Sequence, residues 1–309
     1  MARPPKNPDI PSRRGVSASC IALPYGKASP WPRLIDFLAE RLAAVDREGW
    51  MRRMAQGEVL SDAGQPLPPH APFVPGTRVY YYRELDDEPP VPFLETVLFQ
   101  DEHLLVVDKP HFLPVTPGGR YVQQSLLVRL KNRLGIDALS PIHRIDRETA
   151  GVVVFSVVPK ERGSYQSMFR ERSVHKTYEA IAPHSPSLQS PVVRRSRIEE
   201  AHDAFFRMNE TDGEPNSETR IALLETQGVW GRYRLEPVTG KRHQLRVHMN
   251  AMGLPIAGDQ FYPRVLRGPQ ESEDFTNPLR LLARAIRFTD PVTNEPRHFE
   301  SQLKLGWPT

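Results

Sequence analysis

Two kinds of hydrophobic pattern alternate along this chain of 309 residues. Apolar residues three and four apart predict helices, because that spacing places them on one helical face. Such spacing occurs at residues 33–42, 50–54, 123–134, 164–172 and 243–252. Aliphatic and β-branched runs bounded by turn residues predict strands at residues 58–60, 78–82, 97–100, 104–108, 151–157, 176–182, 219–226, 232–237 and 281–288. Many strands with a few dispersed helices indicate an α+β fold on a mixed or antiparallel sheet with flanking helices.

Turn residues and shifts in composition divide the chain into four parts. Residues 1–30 lack a hydrophobic period and are predicted to form an irregular arm, and residues 31–83 to form a small helix–helix–hairpin domain. The acidic, proline-bearing residues 84–92 are predicted to link it to a large domain at residues 93–309. Within that domain, residues 268–278 are acidic and contain glycine and proline, and we expect a mobile insertion there.

Composition excludes several classes of protein. A hydrophobic content of 39% with a net charge of +4 is not that of a disordered chain. The single cysteine, Cys20, rules out an intrachain disulfide and a thiolate metal cage. No apolar run approaches the ~18 residues that span a bilayer, and residues 1–14 lack the apolar core of a secretory signal. We therefore expect a soluble protein of the cytoplasm.

Familiar catalytic motifs are absent from the sequence. It contains no Walker loop, no G-x-G-x-x-G, no H-E-x-x-H and no G-x-S-x-G. His243 and His248 are five residues apart, whereas a spacing of four would place two zinc ligands on one helical face. These absences argue against NTPases, dinucleotide oxidoreductases, zinc proteases and serine hydrolases of the familiar kinds.

Basic residues are grouped in three stretches, at residues 160–176, 194–197 and 241–248. Arginine-rich groups of this kind suit contacts with phosphates, because guanidinium donors match phosphate oxygens. Acidic residues such as Glu199 and Glu200 interleave with them, so an ordinary solvated surface is the alternative.

The strongest candidate for chemistry is the loop at residues 143–151, directly before the apolar run at 152–155. It crowds five ionisable side chains into six residues: His143, Arg144, Asp146, Arg147 and Glu148. A carboxylate between two arginines is well held and suits a nucleophile, and the arginines suit phosphates on either side of the reacting residue. A solvated loop whose charges neutralise one another remains the alternative.

This loop, H-R-I-D-R-E-T-A-G, resembles the signature H-R-L-D-R-E-T-S-G of the RluA family of RNA pseudouridine synthases. Three more stretches resemble motifs of that family in the same order: D-K-P at 108–110 with L-P-V at 113–115, K-T-Y-E-A at 176–180, and T-G-K-R-H-Q-L-R-V-H at 239–248 with a tail that ends at Asp259. Phe112 stands where the family has glycine, Lys241 where it has arginine, and Leu282 where it has histidine. The resemblance covers roughly residues 92–288.

The resemblance implies a pseudouridine-synthase-like sheet with a central catalytic cleft. It also implies isomerisation of a specific uridine in structured RNA, with ribosomal RNA favoured over transfer RNA, by an enzyme that needs no cofactor and no metal. Nothing in the sequence demands assembly, so we expect a monomer. The resemblance makes Asp146 the essential aspartate, which either attacks the ribose or promotes its deprotonation. Tyr178 becomes the tyrosine that packs on the base and helps remove the C5 proton, and Arg246 the arginine that orients the aspartate.

Arg144 corresponds to a residue that enters the space of the extruded nucleotide, as base flipping requires. The further substrate-binding residues that the motifs imply are His143, Arg147, Lys241, Arg242, His243 and Gln244. Residues 31–83 resemble an S4 RNA-binding module in which Asp62-Ala63-Gly64 replaces the usual Asn-Gly turn.

Two other functions stay open at this point. One is a non-catalytic RNA-binding or ribosome-assembly factor on the same fold. The other is a glycoside hydrolase, which needs a second carboxylate across the scissile bond, and only Glu148 lies near Asp146 in the sequence.

Overall fold

The computed structural model describes residues 7, 9–26, 30–85, 88–186, 190–201, 206–268 and 271–308. The parts of the predicted arm, linker and insertion that lie outside the described residues are 1–6, 8, 27–29, 86–87 and 269–270. The chain forms two compact units, Met1–Glu88 and Pro89–Thr309. None of the helices in the described ranges is long and apolar enough to cross a membrane.

In its described residues, the first unit joins two helices and a three-stranded antiparallel sheet around one core. Its elements are β1 (Ser19–Ala22), α1 (Leu34–Arg41), α2 (Arg47–Ala55), β2 (Val59–Ser61) and β3 (Arg78–Tyr81), with the strands in the order β1-β3-β2. Leu38 and Trp50 are fully buried between them. The Asp46 carboxylate caps α2 by accepting a hydrogen bond of 2.7 Å from the Gly49 amide. Gly57 follows this helix with φ +69°, a left-handed conformation that ends it.

Strand β1 falls inside the segment that the sequence analysis treats as an irregular arm. It pairs antiparallel with β3, from Ser19 opposite Tyr81 to Ala22 opposite Arg78. A strand this short has no diagnostic alternation of its own, and its partner supplies the hydrogen bonds that define it. The domain bounds 1–30, 31–83, 84–92 and 93–309 stay predictions.

The described part of the second unit is built on an eleven-stranded sheet with three α-helices. The helices are α3 (Leu126–Leu134), α4 (Arg162–Arg170) and α5 (Gln244–Ala251). The strands are β4 (Thr96–Gln100), β5 (Leu104–Lys109), β6 (Ser140–Pro141), β7 (Ala150–Ser156), β8 (His175–Pro183), β9 (Val192–Glu200), β10 (Met208–Thr211), β11 (Ser217–Gln227), β12 (Trp230–Pro237), β13 (Leu281–Thr289) and β14 (Pro296–Glu300).

Nine of these strands follow the order β10-β9-β11-β12-β8-β13-β7-β5-β4, while β14 pairs with β13 and β6 with β7. Among the described strands of this sheet, β7 and β13 pair in parallel and the other pairs are antiparallel. The predicted mixed sheet is therefore confirmed. Strands β5 and β7 are buried along their whole length, so the loop that leads into β7 is attached to the most rigid part of the unit.

Part of the predicted insertion, around Glu273 and Phe275, packs against the rest of the second unit. The Glu273 side chain is only 7% exposed and pairs with arginines. The ring of Phe275 lies 5.6 Å from that of Phe93 and 5.2 Å from that of Phe112. Charge pairing and aromatic packing, neither of which the local composition reveals, hold this segment against the unit.

Candidate active site

A cleft of about 680 Å³ opens in the second unit. Its walls come from the loop before β7, the end of α4, strand β8 and residues 237–246. Among the described residues that line it, Asp146 is the only carboxylate. The exposed or half-buried cations of the lining are Arg144, Arg170, Arg172, Lys176 and Lys241. The cleft therefore suits a polyanion that brings one reactive group to Asp146.

Asp146 lies in the loop before β7, with its side chain 25% exposed to the cleft. Its backbone carbonyl accepts a hydrogen bond of 3.2 Å from the Thr149 amide, which closes a turn. Its Oδ2 faces the Arg246 guanidinium, with 3.5 Å to Nη1. The structure thus brings together two of the three predicted catalytic residues, which are 100 residues apart in the sequence.

Arg246 projects from α5 and is fully buried. The Asp259 carboxylate accepts two hydrogen bonds from it, 2.8 Å from Nε and 2.6 Å from Nη2. The rings of Phe261 and Tyr262 lie against its guanidinium. Burial opposes its charge, but Asp259 and the other nearby carboxylates raise the pKa of Arg246. Its Nη1 has no hydrogen-bond partner and points toward Asp146. One donor of a rigidly held cation therefore remains for the reacting groups.

His243 opens α5 in the left-handed conformation, with φ +54°. Its Nδ1 lies 3.0 Å from the Tyr262 hydroxyl, and its Nε2 lies 3.9 Å from Asp146 Oδ2. Burial lowers the pKa of His243, so a neutral ring borders the aspartate. An uncommon backbone conformation at this position is consistent with a site whose geometry is imposed by the surrounding structure.

Tyr178 lies in β8, where it pairs with Ala283 of β13 and Leu235 of β12, and its half-buried side chain lines the cleft. Burial, followed by the charge of Asp146, raises the pKa of Tyr178. The phenol is therefore neutral at physiological pH. It offers the cleft an apolar ring and one hydroxyl, so the third predicted catalytic residue borders the same space as Asp146.

The segment after β5 braces the loop that carries Asp146. Lys109 is fully buried, and its Nζ donates to the carbonyls of Pro110, Leu113 and Arg147 at 2.9, 2.7 and 3.1 Å. Burial lowers the pKa of Lys109 to about 7. His111 Nδ1 donates to the Glu148 carbonyl at 2.7 Å. The carbonyls of the two residues that follow Asp146 are thus fixed by Lys109 and His111.

Phe112, which stands where the family motif has glycine, adopts φ +67°. This left-handed conformation is one that glycine adopts without strain. The ring packs on Phe93 and Phe275, so burial of apolar surface opposes the backbone strain.

All the predicted substrate-binding residues lie in the loop before β7 or around the start of α5, but they differ in their exposure to solvent. Arg144 and Lys241 are exposed in the cleft. His143 lines the cleft, yet its Nε2 accepts a hydrogen bond of 3.1 Å from the Val154 amide and its ring stacks on Phe169. Burial lowers the pKa of His143 to about 3. Its ring is therefore engaged within the protein as a neutral acceptor.

Gln244 also lines the cleft, but its side chain holds the turn before α5. Its Oε1 accepts from the Lys241 amide and its Nε2 donates to the Glu218 carbonyl. Arg147 and Arg242 do not line the cleft. Arg147 pairs with Glu148 and Glu273, and Arg242 lies 3.8 Å from Glu200. A phosphate contact from Arg147 would require these ion pairs to break.

The cleft contains residues that the sequence analysis does not assign to the site. Lys176 and Phe169 are half-buried in its wall, and Arg170 and Arg172 are exposed at its edge. For Lys176 a signal exists in the sequence, because residues two apart on a strand share a face and Tyr178 belongs to the site. The position of the other three, in α4 or just after it, is decided only by the packing of α4 against β5, β7 and β13.

No group of three or more histidine, cysteine, aspartate or glutamate side chains in the described ranges is placed to hold a metal ion. His248, which the sequence analysis weighs as a zinc ligand, is buried. Its Nε2 lies 3.0 Å from the Ser217 hydroxyl and 3.1 Å from that of Ser196. The His248 ring therefore belongs to a hydrogen-bond network that joins α5 to strands β9 and β11.

Comparison with known proteins gives a consistent set of matches. Residues 103–251 match the family model described as RNA pseudouridylate synthase. The dual-specificity RNA pseudouridine synthase RluA of Yersinia pestis is 31% identical over 215 residues, which cover 68% of this chain and 99% of that protein. The ribosomal large subunit pseudouridine synthase C of Escherichia coli (strain K12) is 30% identical over 301 residues, 89% of this chain and 90% of that protein. The solved structure of human RNA pseudouridylate synthase domain containing 1 has the same fold, with a TM-score of 0.56 at 24% identity over 70% of this chain and 86% of that one.

Proposed function

This chain belongs to the RluA-type RNA pseudouridine synthases, which isomerise uridine to pseudouridine in RNA, and we propose that its catalytic residues are Asp146, Tyr178 and Arg246. The observation that carries this proposal is the approach of Arg246 Nη1 to Asp146 Oδ2, 3.5 Å, in a cleft whose described lining holds no other carboxylate. A fixed cation beside one carboxylate orients it without neutralising it by proton transfer.

The isomerisation breaks the bond between N1 of uracil and C1′ of ribose and forms a bond between C5 and C1′. The hydrogen on C5 leaves as a proton and N1 gains one, so the reaction needs neither an oxidant nor a second substrate, and we propose that it proceeds without a cofactor. Asp146 starts the reaction by attack on the ribose or by promoting its deprotonation. Both routes require the carboxylate at the sugar, which the open side of the cleft permits.

We propose that the Tyr178 ring packs on the face of the base and that its hydroxyl helps to remove the C5 proton. Its raised pKa means that the phenol is protonated before the reaction. A neutral phenol accepts a proton only as it releases its own. Its oxygen therefore relays the C5 proton, and Asp146 is the carboxylate of the cleft that is available to receive it.

The cations at the cleft entrance define the expected RNA contacts. Arg144 and Lys241 are exposed there together with Arg170 and Arg172. We propose that Arg144 occupies the space left by the flipped nucleotide and that the others contact the RNA backbone. Ribosomal RNA is the first substrate to test and transfer RNA the second, because the similar proteins include a ribosomal large subunit enzyme and a dual-specificity RNA enzyme.

Three further proposals concern the whole chain. The first unit is an S4-like module that adds RNA contacts, a view supported by its pair of helices beside a small sheet and by the exposed Arg47 and Arg52 of α2. The protein works as a monomer, since the catalytic trio comes from one chain. Its place is the cytoplasm, where ribosomal and transfer RNA are available.

Tritium release tests the catalytic assignment, because formation of the carbon–carbon glycosidic bond expels the hydrogen on C5. RNA transcribed with [5-³H]uridine is incubated with the wild-type protein and with Asp146→Ala, in separate ribosomal and transfer RNA pools. We expect release from at least one pool with the wild-type protein. In Asp146→Ala the rate falls by roughly 10⁴-fold or more, as loss of a nucleophile does in other enzymes, while the dissociation constant for RNA stays within a few-fold.

Asp146→Asn is the matched control for shape, since it keeps the side-chain volume and loses the charge, and it should be as inactive as Asp146→Ala. An active Asp146→Ala protein would remove Asp146 from the mechanism. Tight binding of one pool with no release by the wild-type protein would instead support a non-catalytic RNA-binding protein on the same fold.

A further inference from the structure

Glu273 is a nearly buried carboxylate in the segment between α5 and β13, outside the residues that match the family model. Three guanidinium groups surround it. Arg147 Nη1 donates a hydrogen bond to its Oε2, Arg120 Nη2 lies 3.8 Å from the same oxygen, and Arg267 Nη1 lies 3.6 Å from Oε1. Only 7% of its side chain is exposed, so these pairs are weakly screened by solvent.

Arg147 connects Glu273 to the catalytic loop, because it directly follows Asp146. Its guanidinium also binds Glu148, at 3.0 Å from Nε and 2.8 Å from Nη2 to the same Oε1. The arginine is thus held between two carboxylates, one on its own loop and one on the segment between α5 and β13. Burial works against the charge of Arg147, but Glu148 and Glu273 raise its pKa.

Glu148 lies between Arg147 and Arg246, so that acidic and basic side chains alternate from Glu273 to Arg246. Its Oε2 lies 3.6 Å from Arg246 Nη1, the same atom that lies 3.5 Å from Asp146. Burial alone would raise the pKa of Glu148, but the two arginines lower it to about 2, so this carboxylate is charged at neutral pH. Two carboxylates therefore share one guanidinium nitrogen, and the position of Glu148 influences how closely Arg246 approaches Asp146.

We propose that Glu273 is a positioning residue for the reaction, which acts through Arg147 and Glu148 to hold Asp146 and Arg246 in their productive arrangement. This inference rests on the proposed catalytic role of Asp146. The route is continuous in the structure, from Glu273 to Arg147, from Arg147 to Glu148, and from Glu148 to the nitrogen that faces Asp146. Glu273 itself does not line the cleft.

The segment that carries Glu273 has a second attachment that does not involve charge. Phe275 packs on the rings of Phe93 and Phe112. Removal of the charge at residue 273 therefore leaves the segment anchored. For this reason a Glu273→Gln variant separates the electrostatic role of the side chain from the folding of the segment.

The test measures the single-turnover rate of tritium release and the dissociation constant for RNA, in the pool on which the wild-type protein is active. In Glu273→Gln we expect the rate to fall about tenfold, since small displacements of catalytic groups have effects of this order or larger. The dissociation constant should stay within twofold. Glu271→Gln is the matched control, because Glu271 is an exposed glutamate of the same segment and should leave both quantities unchanged.

A double-mutant cycle with Arg147→Lys then examines the route. Arg147→Lys keeps the charge but loses the fork that spans both carboxylates, and we expect a similar loss of rate. Because both changes break the same connection, the double variant should be no slower than the slower single variant. Arg147→Lys also serves if Glu273→Gln does not fold, and a wild-type rate in this variant then overturns the proposal.

Three results contradict the proposed role of Glu273. They are a wild-type rate in Glu273→Gln, weaker RNA binding with an unchanged rate, and losses that multiply in the double variant. Each of them leaves the role of Asp146 intact, since that role is decided by Asp146→Ala alone.

Discussion

At the scale of single residues, Lys176 stands out among the cations of the cleft. Its Nζ donates to the Thr239 carbonyl at 3.1 Å, and within the described ranges no carboxylate lies within ion-pair distance of it. Burial lowers the pKa of Lys176 to about 8. An ammonium group that is partly desolvated and has unused donors is suited to a phosphate of the bound RNA.

We predict that Lys176→Met weakens RNA binding about tenfold. The plot of the logarithm of the association constant against the logarithm of the salt concentration should become less steep by about one, the change that loss of one phosphate contact produces. The single-turnover rate at saturating enzyme should change less than threefold. The measurement is a series of dissociation constants between low and moderate KCl concentrations.

Lys160→Met is the control for the loss of a lysine, because Lys160 is exposed and does not line the cleft. Weaker binding with an unchanged salt slope would indicate that Lys176 contacts the base or the sugar. Unchanged binding would exclude any contact with RNA.

At the scale of the element, the parallel pairing of β7 with β13 depends on one glycine. Gly151 pairs with Lys109 of β5 on one side and with Ala283 of β13 on the other. Its φ is +112°, and a Cβ atom there would lie 2.2 Å from the Ala283 carbonyl oxygen. Glycine is therefore required both for the backbone conformation and for the close approach of the two strands.

We predict that Gly151→Ala destabilises the protein by about 3 kcal/mol or more, because strain and a backbone clash act together. The free energy of unfolding from denaturant titration provides the measurement. Gly163→Ala is the control, since Gly163 lies inside α4 and a Cβ atom added there would have nothing within 4 Å. There we expect stabilisation by about 0.5–1 kcal/mol. Equal effects at the two positions would contradict the account of β7.

At the scale of the whole molecule, three histidines besides His243 are held as neutral rings among the described residues of the second unit. His111 Nδ1 donates to the Glu148 carbonyl, His143 Nε2 accepts from the Val154 amide, and His248 lies among the hydroxyls of two serines and a threonine. Burial lowers their pKa values from 6.5 to about 4, 3 and 4, respectively. All three are more easily protonated in the unfolded chain.

We predict that the protein loses stability as the pH falls below 6.5. A histidine whose pKa is lowered in the folded state contributes stability that is fully present above the unfolded pKa and is lost as the pH falls toward the folded one. Three such groups give a slope that approaches about 4 kcal/mol per pH unit near pH 5. Urea titrations followed by circular dichroism at pH 7.5, 6.5 and 5.5 measure it.

His248→Gln should reduce the slope of the free energy of unfolding against pH by about one third. His298→Gln is the control and should leave this slope unchanged, because His298 is exposed. A free energy of unfolding that is constant from pH 7.5 to pH 5.5 would show that these rings are not held in the neutral form.

Local signals in the sequence determined much of the framework. The spacing of Leu126 and Leu130 and the glycine at 135 indicate α3 and its end, where Gly135 adopts φ +68°. The apolar run before Ser156 indicates the buried strand β7. These features follow from the sequence because helix periodicity, strand composition and left-handed caps depend on neighbouring residues. The sequence does not predict strand β9, since its charged residues alternate with apolar ones too weakly to mark it.

Four motifs in a fixed order, all read from the sequence, marked the residues of the proposed catalytic loop. Which of these charges form ion pairs depends on the fold. Arg144 and Arg147 flank Asp146 in the sequence, yet one is exposed in the cleft and the other is bound by Glu148 and Glu273. The reason is physical: an ion pair depends on distance and burial, and Glu273 lies 126 residues away from Arg147 along the chain.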